Sequence, residues 1–116
     1  MNDSLAGAMI GHCVGDFLLQ TDLMASRKKQ DSIVCFAHSL LWAVIVCVFA
    51  RWSFWYGGVF LFIGHFAIDR SQFIPWWMRF MEQSKFMMQP LAPWSLIVVD
   101  NTWHLVQIWL VWRFLI

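Results

Sequence analysis

Histidine and aspartate recur in this sequence at one spacing, and this spacing is the feature that could support chemistry. Each of the four histidines lies in an apolar stretch. Three of them are paired with an aspartate four residues away: His12 with Asp16, His65 with Asp69, and His104 with Asp100. Side chains four residues apart lie on the same face of an α-helix. The pattern predicts three helices that each present an imidazole beside a carboxylate, with His38 alone on a fourth.

These side chains are suited to binding a metal ion. Imidazole and carboxylate groups are ligands for zinc, iron and manganese. Two ligands four residues apart also resemble the helical H-E-x-x-H zinc sites. We predict a divalent metal site, with zinc preferred and iron or manganese as alternatives, whose ligands are the four histidines His12, His38, His65 and His104. Whether one or two ions bind stays open.

The three aspartates are the candidate catalytic groups. Asp16, Asp69 and Asp100 could each act as a general base or orient a histidine that binds the metal. Three glutamines extend the same helix faces, and we predict that they support the site by hydrogen bonds: Gln20, Gln72 and Gln107.

The composition predicts an apolar environment for the chain. Of its 116 residues, 60% are hydrophobic and 13% are charged, whereas a soluble domain has about 45–50% apolar and about 25% charged residues. A small chain cannot bury so much apolar surface in its own core, so we expect the lipid bilayer to be its main partner. The net charge of +1 and the absence of a basic patch in the sequence argue against nucleic acid binding.

The apolar runs predict an all-α membrane protein with a single domain, residues 1–116. A spanning helix needs roughly 20 mostly apolar residues, and four runs approach that length: 4–25, 33–50, 53–74 and 94–116. We expect an up-down-up-down bundle of four transmembrane helices. Residues 76–88 are shorter and more charged, and they predict a short amphipathic interfacial helix between the third and fourth spans.

Lysine and arginine set the predicted orientation, because cytoplasmic loops are enriched in these residues. With the N-terminus outside, six of the eight basic residues fall on the cytoplasmic side. We therefore predict a multi-pass protein of the cell inner membrane with both termini outside the cytoplasm. In that orientation the histidines and aspartates of all four helices reach one layer in the inner half of the bilayer.

Several functions fit such a layer. A metal-dependent hydrolase would use a metal-bound water against a lipid-like or membrane substrate. Alternatively, the His–Asp pairs could be structural clamps in a non-enzymatic membrane subunit or binding module, with residues 76–88 contacting a partner protein or a second copy. An ion or proton pathway is a third possibility. Haem b, ligated by His38 and His104, is disfavoured because the carboxylates do not suit a porphyrin face.

The motifs also resemble a known family. The segment from His12 to Asp22, the Gly64-His65-x-x-x-Asp69 motif and the Asp100-x-x-x-His104 motif are similar to those of bacterial and phage membrane proteins catalogued as domain of unknown function 3307. The similarity spans nearly the whole chain. It implies a polytopic membrane protein and does not by itself imply an activity.

Overall fold

The computed structural model describes residues 4–116, so the first three residues of the predicted domain lie outside it. Over this part of the chain the regular structure is entirely helical, which confirms the all-α prediction. The elements are α1 (Ser4–Cys13), a π-helical turn (Val14–Leu18), α2 (Asp22–Arg27), α3 (Ser32–Ala50), a second π-helical turn (Phe54–Gly58), α4 (Val59–Arg70), α5 (Phe73–Phe80) and α6 (Trp94–Leu115).

The prediction of four membrane-spanning helices is wrong. Within residues 4–116, α3 is the single helix that is long and apolar enough to cross a membrane. The predicted first and third spans are each broken into shorter helices. The fourth, α6, has 22 residues, but Asp100, Asn101, His104 and Gln107 make it more polar. The four-span bundle is therefore not supported. The predicted orientation of both termini depended on four spans and loses its basis.

Glycines place α1 directly against α3. Gly7, Gly11 and Gly15 follow one another at intervals of four residues and so share one helix face. A Cβ atom on Gly11 would lie 2.8 Å from Val46 Cα, and one on Gly15 would lie 2.9 Å from the Trp42 side chain. Small residues at this spacing let two helix backbones approach closely. This packing fixes the part of the chain that carries His12 and Asp16 beside α3.

Capping and proline chemistry explain where the helices end. The Asp31 side chain caps α3 by accepting hydrogen bonds from the backbone N–H groups of Ile33 and Val34, at 2.9 and 3.3 Å. Pro75 lacks an N–H group, and its ring would clash with the carbonyl four residues earlier in a continuous helix. The chain accordingly leaves the helix at Ser71, and Pro75 lies in the first turn of α5.

The predicted interfacial helix, 76–88, differs from the observed one. α5 covers Phe73–Phe80, and turns occupy residues 81–93. Its buried side chains, Ile74 and Met78, are four residues apart and face the protein. The Trp77 ring meets the Trp103 ring of α6 edge-on, with centroids 4.8 Å apart. α5 is therefore a short amphipathic helix held on α6 by aromatic contacts.

The core of the bundle lies on either side of α3. Its buried apolar residues come from four helices: Ala8, Trp42, Ala43, Val46, Leu61, Ile108 and Val111. Gln107 joins α6 to α4, because its side-chain amide donates hydrogen bonds to the carbonyls of Phe60 and Leu61, at 3.1 and 2.9 Å. These contacts hold α1, α3, α4 and α6 around one polar cluster.

Candidate metal centre

Four helices and one π-helical turn contribute side chains to this cluster. The histidines come from α1, α3, α4 and α6, and the aspartates come from the first π-helical turn, α4 and α6. The four histidine side chains and Asp69 are at most 1% exposed, and Asp16 is 5% exposed. The structure thus brings together all seven predicted groups: His12, Asp16, His38, His65, Asp69, Asp100 and His104.

A π-helical turn carries Asp16. The N–H of Leu19 bonds to the carbonyl of Val14 at 3.0 Å, a five-residue step that widens the helix at this point. Asp16 Oδ2 then lies 3.6 Å from Nδ1 of His12, one turn earlier. Its other carboxylate oxygen faces α3 and α4. π-helical turns are frequent at functional sites because they redirect a side chain within an otherwise regular helix.

Four ligand atoms follow one another in close contact between the π-helical turn, α3 and α4. Asp16 Oδ1 lies 3.1 Å from His38 Nε2 and 3.4 Å from His65 Nε2. His38 Nε2 lies 3.4 Å from Asp69 Oδ2. Within residues 4–116, none of these atoms meets hydrogen-bond geometry with another, while the ammonium of Lys28 lies 3.0 Å from Asp69 Oδ2. We call Asp16, His38, His65 and Asp69 the four-ligand set.

Several separations in the four-ligand set are close to those of metal ligands. Zinc binds nitrogen and oxygen at about 2.0–2.2 Å in a tetrahedron, which places neighbouring ligand atoms about 3.3–3.6 Å apart. The three separations above are 3.1, 3.4 and 3.4 Å. Ligand atoms of His38, His65 and Asp69 lie within 4.8 Å of one another, and so do those of Asp16, His65 and His104. These groups of buried donors fit a divalent cation.

Asp69 also faces a second group of atoms through its other oxygen. Asp69 Oδ1 lies 3.2 Å from His104 Nε2, and the same nitrogen lies 3.4 Å from Asp100 Oδ2. Asp100 Oδ1 and His104 Nδ1 lack hydrogen-bond partners within the described chain. Asp69 therefore joins two groups of candidate ligands through its two oxygens.

His12 differs from the other three histidines, because both of its ring nitrogens are hydrogen-bonded. Trp42 Nε1 donates a hydrogen bond to His12 Nδ1 at 3.1 Å. His12 Nε2 consequently carries the proton and donates to Asn101 Oδ1 at 2.8 Å. With both nitrogens engaged, His12 has no lone pair available for a metal in this arrangement. It instead links α1 to α3 and α6.

Two lysines from the turn after α2 reach the cluster. The ammonium of Lys28 lies 3.0 Å from Asp69 Oδ2, and Lys29 donates to the backbone carbonyl of Asp69 at 3.1 Å. Burial lowers the pKa of Lys28, but the carboxylate of Asp69 and those of Asp16 and Asp100 outweigh this effect and raise the pKa above its ordinary value. Two ammonium groups therefore lie beside the carboxylates of the cluster.

The comparison with known families agrees with the motifs around this cluster. The family described as "Protein of unknown function (DUF3307)" matches residues 5–116. The chain belongs to this family. No curated protein and no solved structure matches it. The match includes every residue of the cluster, and the family description names no activity.

The glutamines predicted to support the site act elsewhere. The side-chain amide of Gln20 donates to the backbone carbonyl of Asp16 at 3.0 Å. Gln107 binds the α4 backbone, and Gln72 is exposed just before α5. None of these hydrogen bonds reaches a carboxylate or imidazole of the cluster.

Ser39, Trp42 and Asn101 contact the histidines of the cluster instead, and these residues were not predicted from the sequence. The Ser39 hydroxyl lies 3.3 Å from His65 Nδ1. The Trp42 ring packs on His65 with centroids 4.1 Å apart and binds His12, while Asn101 binds His12 from α6. A weak signal existed, because Trp42 lies four residues after His38, and Ser39 and Asn101 directly follow predicted site residues.

Ring packing bears on the haem alternative. The His65 ring stacks on the His104 ring at a centroid distance of 4.0 Å and lies 5.0 Å from the His38 ring. A porphyrin ligated by His38 and His104 would need space next to both rings. His65 fills part of that space, so the packing does not suit haem.

A cavity of about 500 Å³ gives access to the cluster. Its polar lining is formed by Asp16, Gln20, Lys28, Lys29, Asp100 and Asn101. Its walls are formed largely by apolar side chains, including Phe17, Ile74, Pro75, Trp94, Leu96 and Ile97. A small number of polar groups in a largely apolar cavity is the usual form of a ligand site.

Proposed function

We propose that this protein binds a divalent metal ion, preferably zinc, through Asp16, His38, His65 and Asp69, and hydrolyses an amphiphilic, lipid-like substrate. The observation that carries the proposal is the four-ligand set, in which buried imidazole nitrogens lie 3.1–3.4 Å from carboxylate oxygens without hydrogen-bond geometry between them. Mixed nitrogen and oxygen ligands suit zinc, with iron or manganese as alternatives.

A metal at this position would supply the nucleophile. Bound water loses its proton near neutral pH because the cation stabilises hydroxide. Asp100 faces the cavity, and its Oδ1 has no hydrogen-bond partner within residues 4–116, so it is the best-placed proton acceptor. Lys28 lines the same cavity and would stabilise negative charge that develops on the substrate.

The apolar walls of the cavity indicate the substrate class. A molecule that places a hydrolysable ester near Asp100 would rest its hydrocarbon part against Phe17, Ile74 and Trp94. Burying hydrocarbon here contributes about 25 cal/mol per Å² of apolar surface. An ester with a hydrocarbon chain therefore fits better than a fully polar substrate.

Membrane association is the second part of the proposal. α3 could cross or enter a bilayer, and large apolar side chains cover much of the outer surface: Leu18, Ile33, Trp55, Tyr56, Trp94 and Phe114 are each at least 70% exposed. Exposed apolar surface of this extent is typical of contact with lipid or with other proteins. On α5 and the turn that follows it, the exposed rings of Trp76 and Phe80 lie near Arg79 and Lys85 in sequence, a combination that suits the membrane interface.

The non-enzymatic alternative, a membrane subunit or binding module, has one specific contact in its favour. His104 Nε2 and Asp69 Oδ1 form a hydrogen bond of 3.2 Å that joins α6 to α4. A structural clamp would need only such bonds. It would not need the ring nitrogens of His38 and His65 that lack hydrogen bonds within the described chain, and that difference ranks a metal site above a clamp.

Hydrolysis is tested with purified protein in detergent and a medium-chain carboxylic ester in mixed micelles. We expect activity that a chelator removes and zinc restores. We also expect Asp100→Asn to lower the rate by at least about 100-fold, because a general base contributes about 10²–10⁴-fold. The matched control is Asp22→Asn, which changes an exposed aspartate at the start of α2. Activity that survives chelation, or that falls equally in both variants, would overturn the proposal.

A further inference from the structure

We infer that the cluster holds two divalent cations and that Asp69 bridges them. This inference rests on the proposed metal site and adds a second ion to it. The first position is formed by His38, His65 and Asp69, whose ligand atoms lie within 4.8 Å of one another, with Asp16 in contact with both histidines. The second position is formed by Asp69 Oδ1, His104 Nε2 and Asp100 Oδ2, on the side of the cluster that Asp100 connects to the cavity.

The carboxylate of Asp69 is placed as a bridging ligand. Its Oδ2 lies 3.4 Å from His38 Nε2, a member of the first position. Its Oδ1 lies 3.2 Å from His104 Nε2, a member of the second. A single carboxylate that presents one oxygen to each of two ligand groups is the arrangement found between paired metal ions in helical bundles.

The second position has the same separations as the first. His104 Nε2 lies 3.2 Å from one carboxylate oxygen and 3.4 Å from another, near the separation of about 3.3–3.6 Å between the ligand atoms of a tetrahedral metal site. The shorter contact is a hydrogen bond to Asp69, so an ion at this position would take the place of the proton that the two residues share. Asp69 and His104 are fully buried. A nitrogen between two carboxylates, which are negatively charged when ionised, lies where a cation would bind.

Ring stacking gives independent support. His65 belongs to the first position and His104 to the second, and their rings are nearly parallel, with an interplanar angle of 14° and centroids 4.0 Å apart. A metal ion binds imidazole in the plane of the ring, so stacked rings whose ligand nitrogens point the same way would hold two ions about one stacking distance apart. Two-metal hydrolytic sites have their ions about 3.5–4 Å apart.

The charge of the cluster also favours two bound cations. Asp16, Asp69 and Asp100 supply three carboxylates to a small buried volume, and Lys28 pairs with one of their oxygens. Two divalent ions would convert this excess of negative charge into a net positive centre, which would hold a hydroxide and an anionic group of the substrate. Asp100 would bind the second ion through Oδ2 and keep Oδ1 available to accept a proton.

The test is to count the bound ions. Full-length protein in detergent is stripped with a chelator, titrated with Mn²⁺, and studied by equilibrium dialysis and electron paramagnetic resonance. We expect two Mn²⁺ per chain with spin coupling between them in the wild type. His104→Gln and Asp100→Asn should each bind one Mn²⁺ without coupling, and the control Gln72→Ala should bind two.

The possible outcomes separate this inference from the proposed function. One uncoupled Mn²⁺ per wild-type chain, lost in His38→Gln, would overturn the two-ion centre and leave the single metal site standing. No bound Mn²⁺ together with no bound Zn²⁺ in the wild type would overturn both. Because these decisive counts are made on the wild type, they do not depend on whether a variant folds.

Discussion

Two neighbouring groups of buried side chains in this protein differ in how their histidines are bonded: ring nitrogens are hydrogen-bonded in one group and lack hydrogen bonds in the other. In the group around His12, the bonds from Trp42 and to Asn101 satisfy both ring nitrogens. In the four-ligand set, His38 and His65 turn nitrogens without hydrogen bonds toward carboxylate oxygens 3.1–3.4 Å away. Both groups are almost fully buried. Burial of a histidine therefore does not by itself identify a metal ligand.

The largest effect expected from this difference is on stabilisation by metal. Zinc at 100 times its dissociation constant should stabilise the wild-type protein by about 2.7 kcal/mol, because a ligand that binds only the folded state shifts the folding equilibrium by mass action. His38→Gln removes a ligand of the four-ligand set, so zinc should give it little or no stabilisation. Thermal unfolding in detergent, with and without zinc, measures the effect. Equal stabilisation of both proteins would contradict the ligand assignment.

Ser39 should have the next largest effect on metal affinity. Its hydroxyl lies 3.3 Å from His65 Nδ1 and so orients the ring whose Nε2 faces the metal position. Loss of such an outer partner typically lowers metal affinity by about 10–100-fold. Ser39→Ala should show this loss in a zinc titration while keeping its helical circular dichroism. Ser26→Ala, which changes an exposed serine in α2, is the matched control and should bind zinc like the wild type.

Disturbing the close packing of α1 on α3 should lower the stability of the protein. A Cβ atom at position 11 would lie 2.8 Å from Val46 Cα, a backbone atom that cannot move aside cheaply. Overpacking of this kind costs about 1–3 kcal/mol, so Gly11→Ala should lower the unfolding temperature. The control is Ala6→Gly, at an exposed position of the same helix. A Gly11→Ala protein as stable as the wild type would argue against close packing of the two helices.

The smallest effect is expected at His12. His12→Gln removes the acceptor of the Trp42 hydrogen bond and a donor to Asn101, which should cost about 1 kcal/mol for each bond. The four-ligand set is untouched, so zinc binding should persist. Isothermal titration with zinc separates the two effects, and a loss of binding as complete as that of His38→Gln would remove the distinction between the two groups.

Much of the cluster could be predicted from the sequence. Helical periodicity is local, so spacings of four residues were enough to pair His12 with Asp16 and His65 with Asp69, and the structure gathers all three pairs. The contacts of individual nitrogens were not predictable, because they depend on partners from other helices. Trp42 and Asn101 reach His12 from α3 and α6.

The membrane-spanning helices were harder to predict than the residues of the cluster. Apolar composition is averaged over about 20 residues, whereas helix breaks depend on single backbone positions. α3 has a capping aspartate at Asp31 and no charged side chain, and it forms the one continuous apolar helix of this length within residues 4–116. Elsewhere non-helical residues after Leu18 and after Arg70 divide apolar runs that composition alone joins. The contact of Lys28 with Asp69 Oδ2, at 3.0 Å, was likewise not predictable from local sequence.

The most direct test of the central claim is elemental analysis of the protein purified in detergent without added metal or chelator. We predict at least one zinc, iron or manganese ion per chain in the wild type and in His12→Gln, and a loss of that metal in His38→Gln and Asp16→Asn. A wild-type protein without bound transition metal, or equal metal content in all four proteins, would contradict the account.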